Sequence, residues 1–339
     1  MRADPASGPR VGWVRSVAVI LAVAGMSGCV GQARMAEAAR SNALPAAIEL
    51  TQTPFFPQTE HQCGPAALAT LLGAAGREVP PDALAREIYL PGREGTLQEE
   101  LVGALRSRDL LPYPIDQGML PLMAELAAGR PVLVLQKLGF GPWPSWHYAV
   151  AVGYDSPSNR IILRSGTDRR QSMRVAMFDM TWARAGRWAV VALAPGTMPA
   201  KPDMSRYVEA AAGLEAVGHI DAAAMAYQAA AERWPDAALP LLGVANVAAR
   251  KRDWARAEQL YRNVLAVDPR QTAALNNRAE ALRRLGCADT ARASLLAGAK
   301  TIPADDPLRP TVERTLAELA PDPDAQVPEP ARCLQFAGR

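Results

Sequence analysis

Cysteine and histidine are scarce in this sequence, with four and three copies. One of each sits where chemistry can use it. Cys63 lies in the stretch FFPQTEHQCGPAALATLL, residues 55–72. That stretch reads as a loop, a cysteine, and the start of a helix carried by an Ala/Leu run. A thiol at a helix start feels the positive end of the helix dipole, which favours thiolate. A cysteine nucleophile also needs a base to take its proton. His147 opens the apolar run HYAVAVGY and is the best-placed imidazole. His61 stands two residues before Cys63 in the same loop, and His219 falls in a turn far along the chain, where it reads as a solvated surface residue. The plainer readings are a small buried hydrophobe for Cys63 and a satisfied structural histidine for His147.

The elements that must hold this pair follow from periodicity. Helices are expected at 64–75, 82–89, 97–108 and 117–128. Four β-prone apolar runs come after them: PVLVLQ, HYAVAVGY, RIILRS and RWAVVALA, separated by Gly, Pro and polar residues as hairpin connections require. Helices first and an antiparallel sheet second is an α+β arrangement. A chain of 339 residues predicts about two domains. A net charge of only +3 excludes the basic footprint of a nucleic-acid binder.

The first residues are an export signal rather than fold. Arg2, Arg10 and Arg15 form a basic stretch, and SVAVILAVAGM is an apolar core too short to span a bilayer. It ends in MSGC, which looks like the lipobox of bacterial lipoproteins. That resemblance implies a signal peptide over 1–28, lipid on Cys29, and a linker over 29–48. Val30 follows in place of Asp, which by the same resemblance implies the outer membrane, facing the periplasm. Three cysteines remain. An oxidising compartment permits Cys287 and Cys333 to pair and leaves Cys63 single, but spacing alone does not settle the pairing.

The C-terminal part is a repeat. Pro235, Pro269 and Pro303 are spaced by 34 residues, and the same template precedes each. Ala223, Ala257 and Ala291 lie twelve residues before the prolines; Ala211, Ala245 and Ala279 lie twenty-four before. Tyr227, Tyr261 and Leu295 lie eight before, and Gly218, Arg252 and Gly286 mark the inter-helix turn. This helix–turn–helix period resembles the tetratricopeptide repeat. It implies three stacked helix pairs over 204–320, with PLRPTVERTLAELA as the helix that caps them. Residues 197–203 serve as linker, and 321–339 form a Pro-rich, extended tail. The groove of such an array suits a peptide or a partner protein.

The segment 49–196 is similar to the C39 peptidases, the bacteriocin-processing branch of papain-like cysteine peptidases. The resemblance rests on QTEHQCGPAALATLL and, some eighty residues later, HYAVAVGYD. It implies a papain-like fold with Cys63 as nucleophile and His147 as general base. It also implies an oxyanion-hole glutamine before the cysteine, for which Gln58 is the best match and Gln62 the alternative. The family's aspartate at the end of the next strand is missing. The direct match falls near Ser165, Asp168 follows three residues later, and Asp155 ends the strand of His147 itself. Asp168 is the expected third member, with Ser165 and Asp155 left open. No metal or cofactor is expected, since His61, Cys63 and His147 lack CxxC or HxxxH spacing. GFGPWPSW follows no phosphate-loop pattern, and its Trp143 and Trp146 read as lining a substrate cleft or covering the sheet.

The whole therefore reads as a lipid-anchored cysteine peptidase with a protein-docking repeat domain. The alternatives are a papain-like periplasmic scaffold that binds peptide without cleaving it, and a thiol-dependent amidase acting on a non-protein amide. The anchor is open to test. Globomycin should block maturation of the wild-type chain in a Gram-negative host, and Cys29→Ala should fail to mature at that site; normal processing of Cys29→Ala would refute lipidation there.

Overall fold

The computed structural model describes residues 40–41, 43–57, 62–139, 145–320 and 329–336. The chain divides into two compact units. One takes in residues up to Leu97 together with Pro114–Val191; the other takes in Gln98–Tyr113 and the residues from Ala192 onward.

In the first unit, helix α1 (Cys63–Ala74) is the centrepiece. Pro65 falls in its first turn, where a missing N–H costs nothing. Every residue from Gly64 to Leu72 is buried. A helix apolar all round belongs inside a core, and burial of Leu68, Leu71 and Leu72 contributes about 1.5–3 kcal/mol each. Helix α2 (Pro81–Ile88) buries Leu84 and Ile88 on one face. Helix α3 (Gln98–Arg106) follows and groups with the second unit, while α4 (Met119–Ala127) buries Leu122–Leu126 in the first. All four expected helices are present.

The strands are β1 (Ala47–Glu49), β2 (Leu111–Pro114), β3 (Val132–Leu138), β4 (Ser145–Asp155), β5 (Arg160–Ser165), β6 (Asp168–Arg174) and β7 (Ala189–Leu193). They form one sheet in the order β2-β7-β3-β4-β5-β6, with β1 paired to β4. The eleven-residue β4 is the central strand. It pairs antiparallel with β3 along 145–151 and with β5 along 150–155, and β1 continues the β3 side at 153–155. The four expected strands correspond to β3, β4, β5 and β7.

Three strands and helix α5 (Val175–Ala183) were not evident from the sequence. β6 is DRRQSMR, polar throughout, and carries no apolar alternation to read. Its position at the sheet edge explains that composition, because charged side chains there block pairing with another chain. A turn at Gly166, with φ of 58°, joins it to β5.

The second unit stacks helix pairs. They are α6 (Met204–Ala216) with α7 (Ile220–Arg233), α8 (Ala238–Arg250) with α9 (Trp254–Val267), and α10 (Thr272–Arg284) with α11 (Ala288–Ala299). Helix α12 (Arg309–Glu318) follows as the expected further helix. All six template alanines are fully buried. Small residues are required where helices approach closely: a Cβ added to Gly243 would lie 2.2 Å from the Tyr227 ring.

The tail is not extended throughout, contrary to expectation. A 3-10 turn over Ala331–Phe336 packs against the third pair. A disulfide joins Cys287 to Cys333. Glu329 accepts hydrogen bonds from Thr290 N at 3.0 Å and Thr290 Oγ1 at 2.6 Å, capping α11. In the chain-entropy account, a cross-link closing a loop of this length (sequence separation 46) contributes about 4 kcal/mol.

The three inter-helix turns share one conformation. Gly218, Arg252 and Gly286 have φ of 89°, 62° and 79°. Arginine pays for the left-handed region through its Cβ, and glycine does not. Arg252→Gly should therefore raise stability by about 0.5–1 kcal/mol, read as a higher urea midpoint at unchanged m-value.

Candidate active site

Cys63 is the first residue of α1 and is half-buried. Backbone N–H groups at a helix start have no partner within the helix. Those of Cys63 and Gly64 turn toward the thiol, and the Tyr148 N–H on β4 reaches it from the sheet. All three favour thiolate. Burial opposes them and is the larger effect, so the thiol is pushed above its ordinary value.

The helix start is pressed tightly into place. A Cβ on Gly64 would lie 2.7 Å from Cβ and Oγ1 of Thr96, so glycine is needed there. The Tyr148 hydroxyl donates to the Thr96 carbonyl at 3.2 Å, and its ring stacks edge-on against Trp188 with centroids 5.9 Å apart. Thr96 thus fastens β4 to the head of α1.

His147 is the residue before Tyr148, and it is half-buried on β4. Its Nε2 lies 2.8 Å from Ser165 Oγ. Ser165 ends β5 and is 4% exposed. Burial alone lowers the imidazole pKa from its ordinary value. Opposite His147 on β3 stands Gln136, whose amide donates to Thr181 Oγ1 on α5 at 2.7 Å. The strand neighbour of the imidazole is thereby held by a partner of its own.

Of the three residues considered for the third position, the one bonded to His147 is Ser165. Asp168 opens β6 across the turn and is exposed. Asp155 lies at the far end of β4, and its carboxylate accepts from Ser158 N at 3.1 Å, so it caps a turn. Strand register gives the reason: the last residue of β5, not the first of β6, is brought beside the head of β4.

Gln58, His61 and Trp143 lie outside the described residues. Gln62 is half-buried beside Cys63. Trp146 is 53% exposed with the Lys137 ammonium 5.2 Å from its ring centroid, so it lies over the end of the β3–β4 pair rather than filling the core. His219 Nδ1 meets Asp109 Oδ1 at 2.7 Å, well away in sequence from this pair.

Arg164 escaped the sequence reading. It is 3% exposed, and its guanidinium donates to the Arg169 carbonyl at 2.7 Å and to the Thr53 carbonyl at 3.4 Å. It therefore ties the β5–β6 turn beside Ser165 to the segment that leads toward Cys63. The only available signal was an arginine at the end of an apolar run, which reads equally well as a strand end.

Against known proteins, residues 50–190 match the family described as Peptidase_C39 like. A putative C39-like peptidase from Bacillus anthracis is similar at 17% identity and a TM-score of 0.36, over 43% of this chain and 97% of that one. The peptidase domain of Streptococcus ComA is similar at 18% identity and a TM-score of 0.34, over 42% and 99%. The TPR2B domain of yeast Sti1, solved in a pHsp70 complex, is similar at 14% identity and a TM-score of 0.33, over 34% and 94%. No curated protein matches the chain.

A thiol with a raised pKa has less thiolate at any given pH, so its labelling curve moves to higher pH. Iodoacetamide labelling of Cys63, followed by peptide mass spectrometry, should rise only above the free-thiol value of about 8.5. A midpoint below about 7 would mean that a thiolate–imidazolium pair already exists in the resting protein.

Proposed function

We propose that this chain is a cysteine peptidase of the C39-like kind, exported and held at the outer membrane by lipid on Cys29. The observation that carries the reading is the meeting of a helix-head thiol with the Tyr148 N–H, directly after a histidine that is itself oriented by Ser165. A buried free cysteine kept only for packing needs no such surroundings. The family match over residues 50–190 supports the reaction class.

In the proposed reaction the Cys63 proton passes to His147 as Sγ attacks a peptide carbonyl. The N–H groups at the head of α1 face the oxygen on which charge develops, and Gln58 would add a side-chain donor. His147 then protonates the leaving amine, and water hydrolyses the thioester. The repeats would hold the substrate protein or dock the enzyme to a partner. No described helix is long and apolar enough to cross a membrane; in this reading the lipid on Cys29 supplies membrane attachment.

A second reading, a papain-like domain that binds peptide without cutting it, is favoured by one observation. Burial holds both the thiol and the imidazole toward their neutral forms.

Hydrolysis of a mixed peptide library by the protein beginning after Cys29 separates the two. Cleavage should vanish in Cys63→Ala and fall about 10²–10⁴-fold in His147→Ala. Peptide binding without cleavage would establish the scaffold instead, and cleavage surviving in Cys63→Ala would refute the assigned nucleophile.

A further inference from the structure

Ser165 occupies the place where the resemblance puts a carboxylate, and its hydroxyl lies 2.8 Å from the imidazole. Resting on the peptidase reading above, we propose that Ser165 is a positioning residue that orients His147 without adding charge, so that the resting Cys63–His147 pair is neutral and the proton moves only when a substrate carbonyl is engaged.

The geometry supports this in three ways. Ser165 is 4% exposed on a strand flanked by β4 and β6, so its hydroxyl is held rather than free to rotate into water. In the tautomer this proposal assigns, Nε2–H donates to that oxygen and leaves the lone pair on Nδ1, the nitrogen that would take the thiol proton. A hydroxyl selects the tautomer as a carboxylate would, yet gives an imidazolium far less stabilisation.

Several charged groups on the surrounding described elements have partners of their own. Lys137 on β3 sits over Trp146. Arg164 on β5 donates to backbone carbonyls. Glu49 on β1 pairs with Arg170 on β6 at 2.9 Å, and Glu125 on α4 pairs with Arg130. Asp168 on β6 is exposed, and Cys63 is the titratable group from α1. Among the described residues, burial is accordingly the one effect that moves His147, and it moves it toward neutrality.

The proton account balances. The thiol proton passes to Nδ1 as the S–C bond forms and the carbonyl π pair moves to oxygen. On collapse the C–N bond breaks, and the same proton leaves Nδ1 for the amine nitrogen. Nε2–H stays on Ser165 throughout.

The test measures peptide hydrolysis and the pH profile of Cys63 alkylation in wild type, S165T, S165A and S165D. S165T, which keeps the hydroxyl, should restore most of the kcat that S165A loses and keep the wild-type direction of the profile. S165A should lower kcat at least about tenfold with KM little changed. S165D should move the alkylation midpoint down by about 1–3 pH units, because a carboxylate now stabilises the imidazolium. A purely structural serine would give S165A and S165D the wild-type profile and kcat, which overturns the proposal. If S165D does not fold, equal kcat in S165T and S165A overturns it as well. Cys63-dependent hydrolysis at full kcat in S165A would remove the role of Ser165 and keep the peptidase. Absent hydrolysis with the S165D shift intact would remove the peptidase and keep the orientation.

Discussion

The first unit depends on one close contact, the seating of the α1 head against Thr96 and β4. No side chain fits between Gly64 and Thr96. Thr96 in turn accepts the Tyr148 hydroxyl, and the Tyr148 N–H reaches the Cys63 thiol. Backbone and side chain of one β4 residue thus clamp the helix start from two directions. The buried length of α1 supplies the hydrophobic free energy that holds this clamp closed. The thiol lies at the head of a core helix, and the imidazole stands on the central strand next to the residue whose N–H reaches that thiol.

That arrangement sets the electrostatics of the pair. Seating the helix head in the core removes water from the thiol, which favours the neutral form, while the exposed ends of helix N–H groups favour the anion. Desolvation is the larger of the two. The imidazole is desolvated as well, and its bonded partner is an uncharged hydroxyl. A carboxylate in that place would pull the pair toward an ion pair. A serine, being uncharged, adds no such stabilisation of an imidazolium.

The second unit works by a different logic. Each helix pair contacts its neighbours through small residues at fixed intervals, so its stability is a sum of local terms. Buried alanines form the inner seam, and tyrosine hydroxyls bond acceptors on the facing helix, Tyr227 to Glu215 at 3.0 Å and Tyr261 to Asn246 at 2.9 Å. At its far end the disulfide and Glu329 bind the tail back onto the third pair.

The sequence by itself determined what local pattern can carry. The 34-residue template specified the helix pairs and their turn positions, including the turn at Arg252, because each pair buries itself against near neighbours; that this turn is left-handed is seen in the structure. The Ala/Leu run after Cys63 specified a buried helix, and four apolar runs specified four strands. Cys63 and His147 were legible because each opens such a run. Only the tertiary structure decided the rest. β6 has no apolar alternation, and its place at the edge follows from pairing with β5. The pairing of Cys287 with Cys333 depended on where the tail returns. The partner of His147 turned out to be Ser165 rather than Asp168, because strand register sets which residue faces an imidazole on the neighbouring strand, and register is a long-range property that three residues of sequence cannot express.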